Sequence, residues 1–206
     1  MTFQCLNSIQ VTNIKASFKL DTPVEFDYIK DRCERLAGEL GIIWYHTNPN
    51  ILTIRFSGIT FILFKRSSRT AHAQHCNITR CKTYEDIVLG IQNFLFLIDK
   101  PPKNIDYTID NFSCSATLGY EVPLDLVYSD SRSIYYIYQP EKFPALEIRC
   151  PPFISENRSD SLCCLLYRSG KCCIVGGNNL SEIQAFFNWI KSSITKKCPV
   201  HVSTTQ

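Results

Sequence analysis

The chain has 206 residues, of which 45% are hydrophobic and 20% are charged. These proportions are ordinary for a globular protein and exclude long disorder, and the length suits one large domain or two small ones. The formal net charge of +3 gives only weak support for a nucleic-acid partner, although a modest total charge can be distributed on one side.

The eleven cysteines are an odd number, and the opening segment MTFQCLNSIQ has neither a basic start nor an apolar centre. We therefore expect no signal peptide and no secreted disulfide framework, but reduced cysteines that act as small apolar side chains. Cys163, Cys164, Cys172 and Cys173 are predicted to be free thiols on paired strands, half of them on each face. No apolar run approaches the length of a membrane span.

The first half begins with a predicted strand at Ile9–Leu20, followed by a helix. Thr22 can cap this helix, with Pro23 at its first position and Glu25 returning the capping bond. Its apolar stripe would pack on a sheet and consists of Phe26, Ile29, Cys33, Leu36 and Leu40. The next predicted strands are Ile42–His46, Ile51–Phe56 and Thr60–Lys65, before a polar stretch that runs to Arg80.

A second helix is predicted at Thr83–Leu97, with Thr83 as its cap and Asp86 at the third helical position. Its apolar stripe consists of Ile87, Val88, Ile91, Phe94, Leu95 and Ile98. The segment Pro101–Asn104 is then the best internal boundary, because prolines and polar residues interrupt the pattern there.

After this linker the order of elements restarts. A strand at Tyr107–Leu118 precedes a short helix or turn at Val122–Tyr128, which Pro123 begins. Phe143 and Pro144 then mark a turn before the strand Ala145–Cys150. Strands at Leu162–Tyr167 and Lys171–Val175 are joined by a turn at residues 168–170. The last helix, Asn179–Ile194, has an apolar stripe of Ile183, Phe186, Phe187, Ile190 and Ile194.

An internal repeat accounts for this order. Asn111 follows Asn13 by 98 residues. Thr83 and Asn179 each precede a long amphipathic helix, and they are 96 residues apart. This spacing predicts two similar halves, residues 9–100 and 104–196, with a flexible tail at 197–206. Such halves can share one antiparallel sheet with the helices on one side, in an α+β fold. The opposite apolar face would then need a partner.

Two ordered segments of the second half carry a family resemblance. They read YQPEKFPALEIR at residues 138–149 and LYRSGKCCIVG at residues 166–176, and an amphipathic helix follows them. They resemble the TATA-box-binding protein family, in which the same stretches read close to YEPELFPGLIYR and IFVSGKVVLTG, except for extra residues here at 155–160. The resemblance implies a divergent paralogue with a saddle of two pseudo-repeats, a ten-stranded curved antiparallel sheet with helices on its convex face, and no enzymatic activity or cofactor.

The resemblance also implies DNA contacts in the minor groove. Asn13 and Asn111 match asparagines that bond to base edges, although the glutamine that precedes them in the family is absent. Phe143, Tyr167 and Phe64 match aromatic wedges that unstack base steps, while Ile51 or Leu52 takes the place of the fourth wedge. The competing interpretations are core packing for the aromatic residues and bonding to a neighbouring loop for the asparagines.

Further implied contacts complete the predicted DNA-binding surface and its partner sites. The apolar floor would comprise Leu165, Tyr167, Cys173 and Val175, with Lys15 altering it in the first half. The predicted phosphate contacts are Arg55, Arg149 and Lys171, together with a basic cluster of Lys65, Arg66 and Arg69. Transcription factor IIB would be contacted through Gln139, Glu141 and Lys142, of which only Glu141 keeps the family's acidic character.

Two other classes of function are weighed against this one. A metal site at His72, His75, Cys76 and Cys81 matches no standard zinc spacing, and the sequence has no phosphate loop or nucleophile elbow of an enzyme. The main hypothesis is a nuclear, or viral-host, transcription initiation factor that binds and bends AT-rich DNA and contacts general transcription factors IIA and IIB. The alternative is an interaction module with the same fold that has lost DNA binding and binds or sequesters initiation factors.

Overall fold

The computed structural model describes residues 9–40, 43–65, 73–129, 135–154 and 162–197. They form two compact units, one of residues 12–111 and one of residues 112–197 with residues 9–11. The helices are α1 (Phe26–Leu40), α2 (Tyr84–Leu97), α3 (Leu124–Ser129) and α4 (Leu180–Lys197). The strands are β1 (Ile9–Leu20), β2 (Ile43–Asn48), β3 (Ile51–Phe56), β4 (Ile59–Phe64), β5 (Gln74–Cys81), β6 (Tyr107–Thr117), β7 (Tyr136–Ile137), β8 (Leu146–Arg149), β9 (Cys163–Leu166) and β10 (Lys171–Gly177).

The first unit is an antiparallel sheet in the order β2-β3-β4-β5-β1, packed against helices on one face. Successive side chains of a strand point to opposite faces, so each strand contributes alternate residues to the core. Phe61 of β4 stacks on Phe94 of α2 with ring centroids 5.0 Å apart, and Phe18 of β1 meets the same ring edge-on at 6.0 Å. The core therefore lies between this sheet face and α2.

Local sequence signals place α2 correctly but misplace the start of α1. Thr83 accepts a bond from the Asp86 backbone and Asp86 returns it, which is the predicted capping box. The predicted cap at Thr22 is wrong, because α1 begins at Phe26 and its first helical bond runs from Ile29 N–H to the carbonyl of Glu25.

The segment before α1 is bonded by a residue from elsewhere in the chain. The Val24 N–H donates to Oε1 of Gln74 at 3.0 Å, and Gln74 is only 3% exposed. Residues 23–25, including Pro23, lie outside the helix. The polar stretch before Arg80 likewise contains strand β5, which pairs with both β1 and β4 and was not predicted.

The second unit repeats this arrangement with the sheet order β6-β10-β9-β8-β7. All five residues of the predicted apolar stripe on α4 are buried, and so are the alternate strand residues that form the facing side of the sheet: Cys114, Ile148, Cys164, Leu166, Cys172 and Ile174. Residues 101–106 connect α2 to β6 without helix or strand, whereas the boundary between the two compact units lies between residues 111 and 112.

The cysteine predictions agree with the structure. Cys164 and Cys172 are buried, whereas Cys163 and Cys173 are half-exposed on the other face of the sheet. All nine cysteines among the described residues are free. None of the helices in the described ranges has the length and hydropathy of a membrane span.

Candidate nucleic-acid interface

Each sheet has a face that the helices of its unit leave uncovered. In the second unit this face, which we call the second open face, is formed by Ser113, Ser115, Glu147, Arg149, Leu165, Cys173 and Val175. The register places Leu165 opposite Cys173 and Glu147, so the predicted apolar floor is assembled on one side of the sheet. Most of its residues are half-buried, whereas the facing side is fully buried.

Two aromatic rings meet at one end of the second open face. Phe143 and Tyr167 lie with their ring centroids 6.3 Å apart and their planes at 63°, which is the edge-to-face arrangement that aromatic pairs favour. Phe143 is 45% exposed, so this contact leaves a large part of the ring open to solvent. The sequence-predicted wedge pair is therefore brought together, and Phe143 does not belong to the core.

The turn after Tyr167 is fixed by backbone hydrogen bonds. The N–H of Tyr167 donates to the carbonyl of Lys171 at 2.9 Å, and the N–H of Gly170 donates to the carbonyl of Tyr167 at 2.9 Å. Leu118 N–H and Val122 N–H in turn donate to the carbonyls of Gly170 and Arg168. A groove of about 630 Å³ lies beside this turn and is lined by residues that include Gln10, Ser115, Thr117, Tyr167, Lys171 and Cys173.

Arg149, a predicted phosphate contact, is already paired within its own strand. Its Nε donates to Oε1 of Glu147 at 3.0 Å, and both side chains remain partly exposed at 53% and 34%. Glu147 was not singled out in the sequence, although its spacing of two from Arg149 places both on one face of a strand. The predicted phosphate contact therefore carries an acidic neighbour.

The first open face is the corresponding uncovered side of the first sheet. It contains Ile51, Arg55, Ile62, Phe64, Asn77 and Thr79. Phe64 is half-buried and lies directly opposite Ile51, whereas Leu52 points into the core and is 0% exposed. Of the two predicted companions of Phe64, the structure therefore leaves Ile51 as the one on the open face.

Asn13 has its side-chain carbonyl fixed by the neighbouring strand. Oδ1 accepts from the Arg80 N–H at 2.6 Å and from the Thr79 hydroxyl at 3.1 Å. Arg80 adopts a positive φ of 69° at a register shift between β1 and β5. Because a backbone N–H is only a donor, these bonds determine which end of the amide faces the bulge. The Nδ2 donor of Asn13 therefore points away from the bulge.

Lys15 is also paired rather than free. Its Nζ lies 3.8 Å from Oδ2 of Asp110, and the hydroxyl of Ser17 donates to Oδ1 of the same carboxylate at 2.9 Å. Asp110 occupies the position where the resembling family has glutamine. The adjacent predicted base contact, Asn111, is half-buried and has bonding partners of its own.

The remaining predicted phosphate contacts are exposed. Arg55 lies on β3 opposite Thr60, Lys65 follows β4, and Lys171 begins β10 opposite Thr117. Arg66 and Arg69 lie outside the described residues.

The comparisons with known proteins agree with this geometry. The family model described as transcription factor TFIID, or TATA-binding protein, matches residues 106–196. The solved structure of the Methanococcus jannaschii TATA-binding protein superposes with a TM-score of 0.63 and 21% sequence identity, covering 92% of this chain and 98% of that chain. The chain therefore has the fold of a TATA-binding protein, and its second half matches the model of that family. A search of curated proteins found no match.

This structural match confirms the predicted α+β fold class. The matched family is one of transcription factors rather than enzymes, in agreement with the prediction of a non-enzymatic protein.

The predicted partner-binding residues lie together on an exposed turn. Gln139, Glu141 and Lys142 are all exposed, and the carbonyl of Gln139 accepts from the N–H groups of Lys142 and Phe143 at 2.9 Å. The side chains are thus presented next to the Phe143 ring.

The alternative metal site is not assembled among the described residues. His75 is exposed on the first open face, whereas Cys76 and Cys81 are 0% exposed in the core. Consecutive strand residues point to opposite faces, which separates His75 from Cys76. His72 lies outside the described residues, and the described ranges hold no group of three metal-ligating side chains.

Proposed function

We propose that this TATA-binding-protein-like chain is a transcription initiation factor that binds and bends double-stranded DNA through the minor groove. The open face of each unit supplies the contacts, with the two repeats at residues 9–100 and 104–196. Bound in this way, the chain nucleates assembly of the initiation machinery. Its place of action is the nucleus or a viral-host transcription compartment.

The exposed pair of Phe143 and Tyr167 is the observation that carries this proposal. The ring of Phe143 is 45% exposed and is supported edge-on by Tyr167 at the end of the second open face, which places flat apolar surface beside the predicted floor. Flat apolar side chains can replace the stacking that is lost when a base step opens. The apolar floor of Leu165, Cys173 and Val175 lies on the same open face and suits the sugar edges of a widened minor groove.

The hydrogen-bonding groups of the first unit support the same function. Minor-groove edges of A·T pairs present only acceptors, and the Nδ2 of Asn13 is a donor whose orientation is fixed by the Arg80 N–H. Arg55 and Lys65 of this unit, together with Lys171 of the second unit, are exposed cations that can contact phosphates. We further propose that Gln139, Glu141 and Lys142 contact transcription factor IIB, with factor IIA as a second partner of the chain.

Binding to duplexes tests the proposal. Fluorescence anisotropy with a panel of AT-rich and GC-rich duplexes should give salt-dependent binding, because phosphate contacts release counterions. Phe143→Ala should weaken binding at least about tenfold, since wedges are among the principal contacts in this binding mode. The matched control is Phe153→Ala, which removes a ring that is 71% exposed but packs against Trp189 outside the open face. Equal binding by parent and Phe143→Ala would contradict the wedge role.

The second candidate function is an interaction module that no longer binds DNA, and two ion pairs favour it. Asp110 and Glu147 place carboxylates on the open faces, where they offset Lys15 and Arg149. If DNA binding is retained, Glu147→Gln frees Arg149 and should raise affinity about threefold to tenfold at low salt. Failure of parent and Glu147→Gln to bind any duplex leaves the interaction module as the function.

A further inference from the structure

Asp110 lies near the start of β6, in the part of that strand that belongs to the first unit, and places a carboxylate among the polar side chains of β1. Ser17 donates its hydroxyl to Oδ1 at 2.9 Å, and the ammonium of Lys15 lies 3.8 Å from Oδ2. The side chains of Asp110 and Lys15 remain 30% and 42% exposed. An ionised carboxylate has about four acceptor sites and no donor, so these two partners leave it able to accept further hydrogen bonds.

An acceptor at this position is chemically mismatched to A·T pairs. Their minor-groove edges present only the acceptors adenine N3 and thymine O2, which a carboxylate cannot bond and would repel. A G·C pair adds one donor, the guanine 2-amino group, between acceptors of the two bases. A carboxylate can accept from this amino group while a neighbouring ammonium donates to an acceptor beside it. Asp110 and Lys15 present that combination side by side.

We propose that Asp110, assisted by Lys15, is a specificity-determining residue that selects a G·C pair at one position of the bound minor groove. This inference rests on the proposed DNA-binding function. Ser17 acts as the positioning residue, because its hydroxyl fixes one carboxylate oxygen and leaves the other beside Lys15. Asn13, whose oriented Nδ2 is a donor, contacts an acceptor and so tolerates A·T at its own position.

Base analogues test this selectivity without changing the protein. In a bound duplex, each base pair in turn is made A·T, G·C, inosine·C or diaminopurine·T. Inosine·C lacks the 2-amino group of G·C, and diaminopurine·T adds that group to an A·T pair. At one position, G·C and diaminopurine·T should bind at least about fivefold more tightly than inosine·C and A·T, in line with the discrimination of a base-edge contact.

The variant Asp110→Asn assigns the preference to this side chain. In this variant the amide carbonyl can still accept from the hydroxyl of Ser17, and the NH₂ group then takes the place of the second carboxylate oxygen. The preference for base pairs that carry the 2-amino group should therefore vanish or reverse. Asp31→Asn is the matched control, because Asp31 is an exposed acid on helix α1 of the same unit. It should keep the parent preference. Equal unfolding midpoints of the two variants show that Asp110→Asn remains folded.

The possible results distinguish failure of the Asp110 assignment from failure of the DNA-binding function. Binding by the parent with no difference between G·C and inosine·C at any position overturns the role of Asp110 and leaves DNA binding intact. A preference that persists in Asp110→Asn also overturns the assignment. No binding by the parent to any duplex overturns the DNA-binding function and this inference together.

Discussion

Gln74 connects the end of strand β4 to the segment that leads into helix α1. Its Nε2 donates to the carbonyl of Phe64 at 3.3 Å, while its Oε1 accepts from the N–H of Val24 at 3.0 Å. The side chain is only 3% exposed, so water cannot readily replace these bonds. One buried amide therefore satisfies two backbone groups, one of which belongs to a predicted DNA wedge residue.

Replacing this amide should destabilise the first unit. Gln74→Leu keeps a similar volume but leaves the Val24 N–H and the Phe64 carbonyl without their partner, which should cost about 1–3 kcal/mol in the free energy of unfolding. Urea denaturation measures the change. Gln92→Leu, the same substitution at an exposed position on α2, should have an effect within about 0.5 kcal/mol. Similar losses in both variants would contradict the structural role of Gln74.

The long helices could be predicted from the sequence because their signals are local. The stripe on α4 repeats at helical spacing, and Thr83 with Asp86 caps α2 within four residues. The same local reasoning failed at Thr22, where the capping pattern exists but Val24 is held by Gln74, fifty positions away in the chain.

The candidate site was less predictable, since its contacts join distant parts of the chain. The family resemblance could select Lys15 and Asn13, but their partners Asp110 and Arg80 depend on strand pairing and a bulge. Strand β5 was missed for a related reason. Its exposed side is polar, and it becomes a strand through its pairing with β1 and β4.

The turn that carries Tyr167 should depend on Gly170. This residue has a positive φ of 78°, and a Cβ there would lie 2.1 Å from the carbonyl oxygen of Tyr120. Gly170→Ala therefore combines backbone strain with a collision that only movement of the turn can relieve. Gly119→Ala is the matched control, because φ is 85° but no other atom lies within 4 Å of the added Cβ.

Urea denaturation of the two glycine variants separates strain from collision. Gly119→Ala should cost about 1–2 kcal/mol, the usual penalty of a left-handed conformation for alanine. Gly170→Ala should cost clearly more and should also disturb the aromatic signals of Tyr167 in near-ultraviolet circular dichroism. Equal costs would show that the Tyr120 carbonyl yields without loss.

Stability should fall at alkaline pH because the core contains buried thiols. Burial raises the pKa of Cys76 to about 12, and burial together with the nearby Asp86 carboxylate raises that of Cys81 to about 12. A pKa raised in the folded state stabilises the protein fully below the unfolded value near 9, and this contribution is lost as pH rises toward the folded value. Each such thiol should therefore cost on the order of 1 kcal/mol at pH 10.

Unfolding midpoints at pH 7.5 and pH 10 measure this loss. Cys76→Val should make the difference between the two pH values smaller, because the variant has one fewer thiol that ionises on unfolding. Leu63→Val changes packing at the residue directly opposite Cys76 but removes no titratable group, so it should keep the parent difference. An unchanged difference in Cys76→Val would contradict the contribution of this thiol.

The two units should contribute unequally to DNA bending. In the second unit Phe143 is 45% exposed and is supported edge-on by the ring of Tyr167, whereas in the first unit Phe64 is half-buried and lies opposite the aliphatic Ile51. Each wedge must offset an unstacking cost of a few kcal/mol by opening the groove to more protein surface. Phe143→Ala should therefore lose more affinity than Phe64→Ala, and the total bend should be below the roughly 80° of the TATA-binding protein itself.

Titrations of both phenylalanine variants and of Lys15→Ala on one duplex at two salt concentrations test this asymmetry, with the bend measured by energy transfer between the duplex ends. If Lys15 reaches a phosphate, its removal should flatten the salt dependence by about one contact. Because Lys15 is paired with Asp110, we expect its removal to flatten the salt dependence by less than one full contact. Equal losses of affinity in the two phenylalanine variants would contradict the asymmetric arrangement. The exposed ring of Phe143 is free to enter a base step, whereas the half-buried ring of Phe64 packs largely on its own sheet.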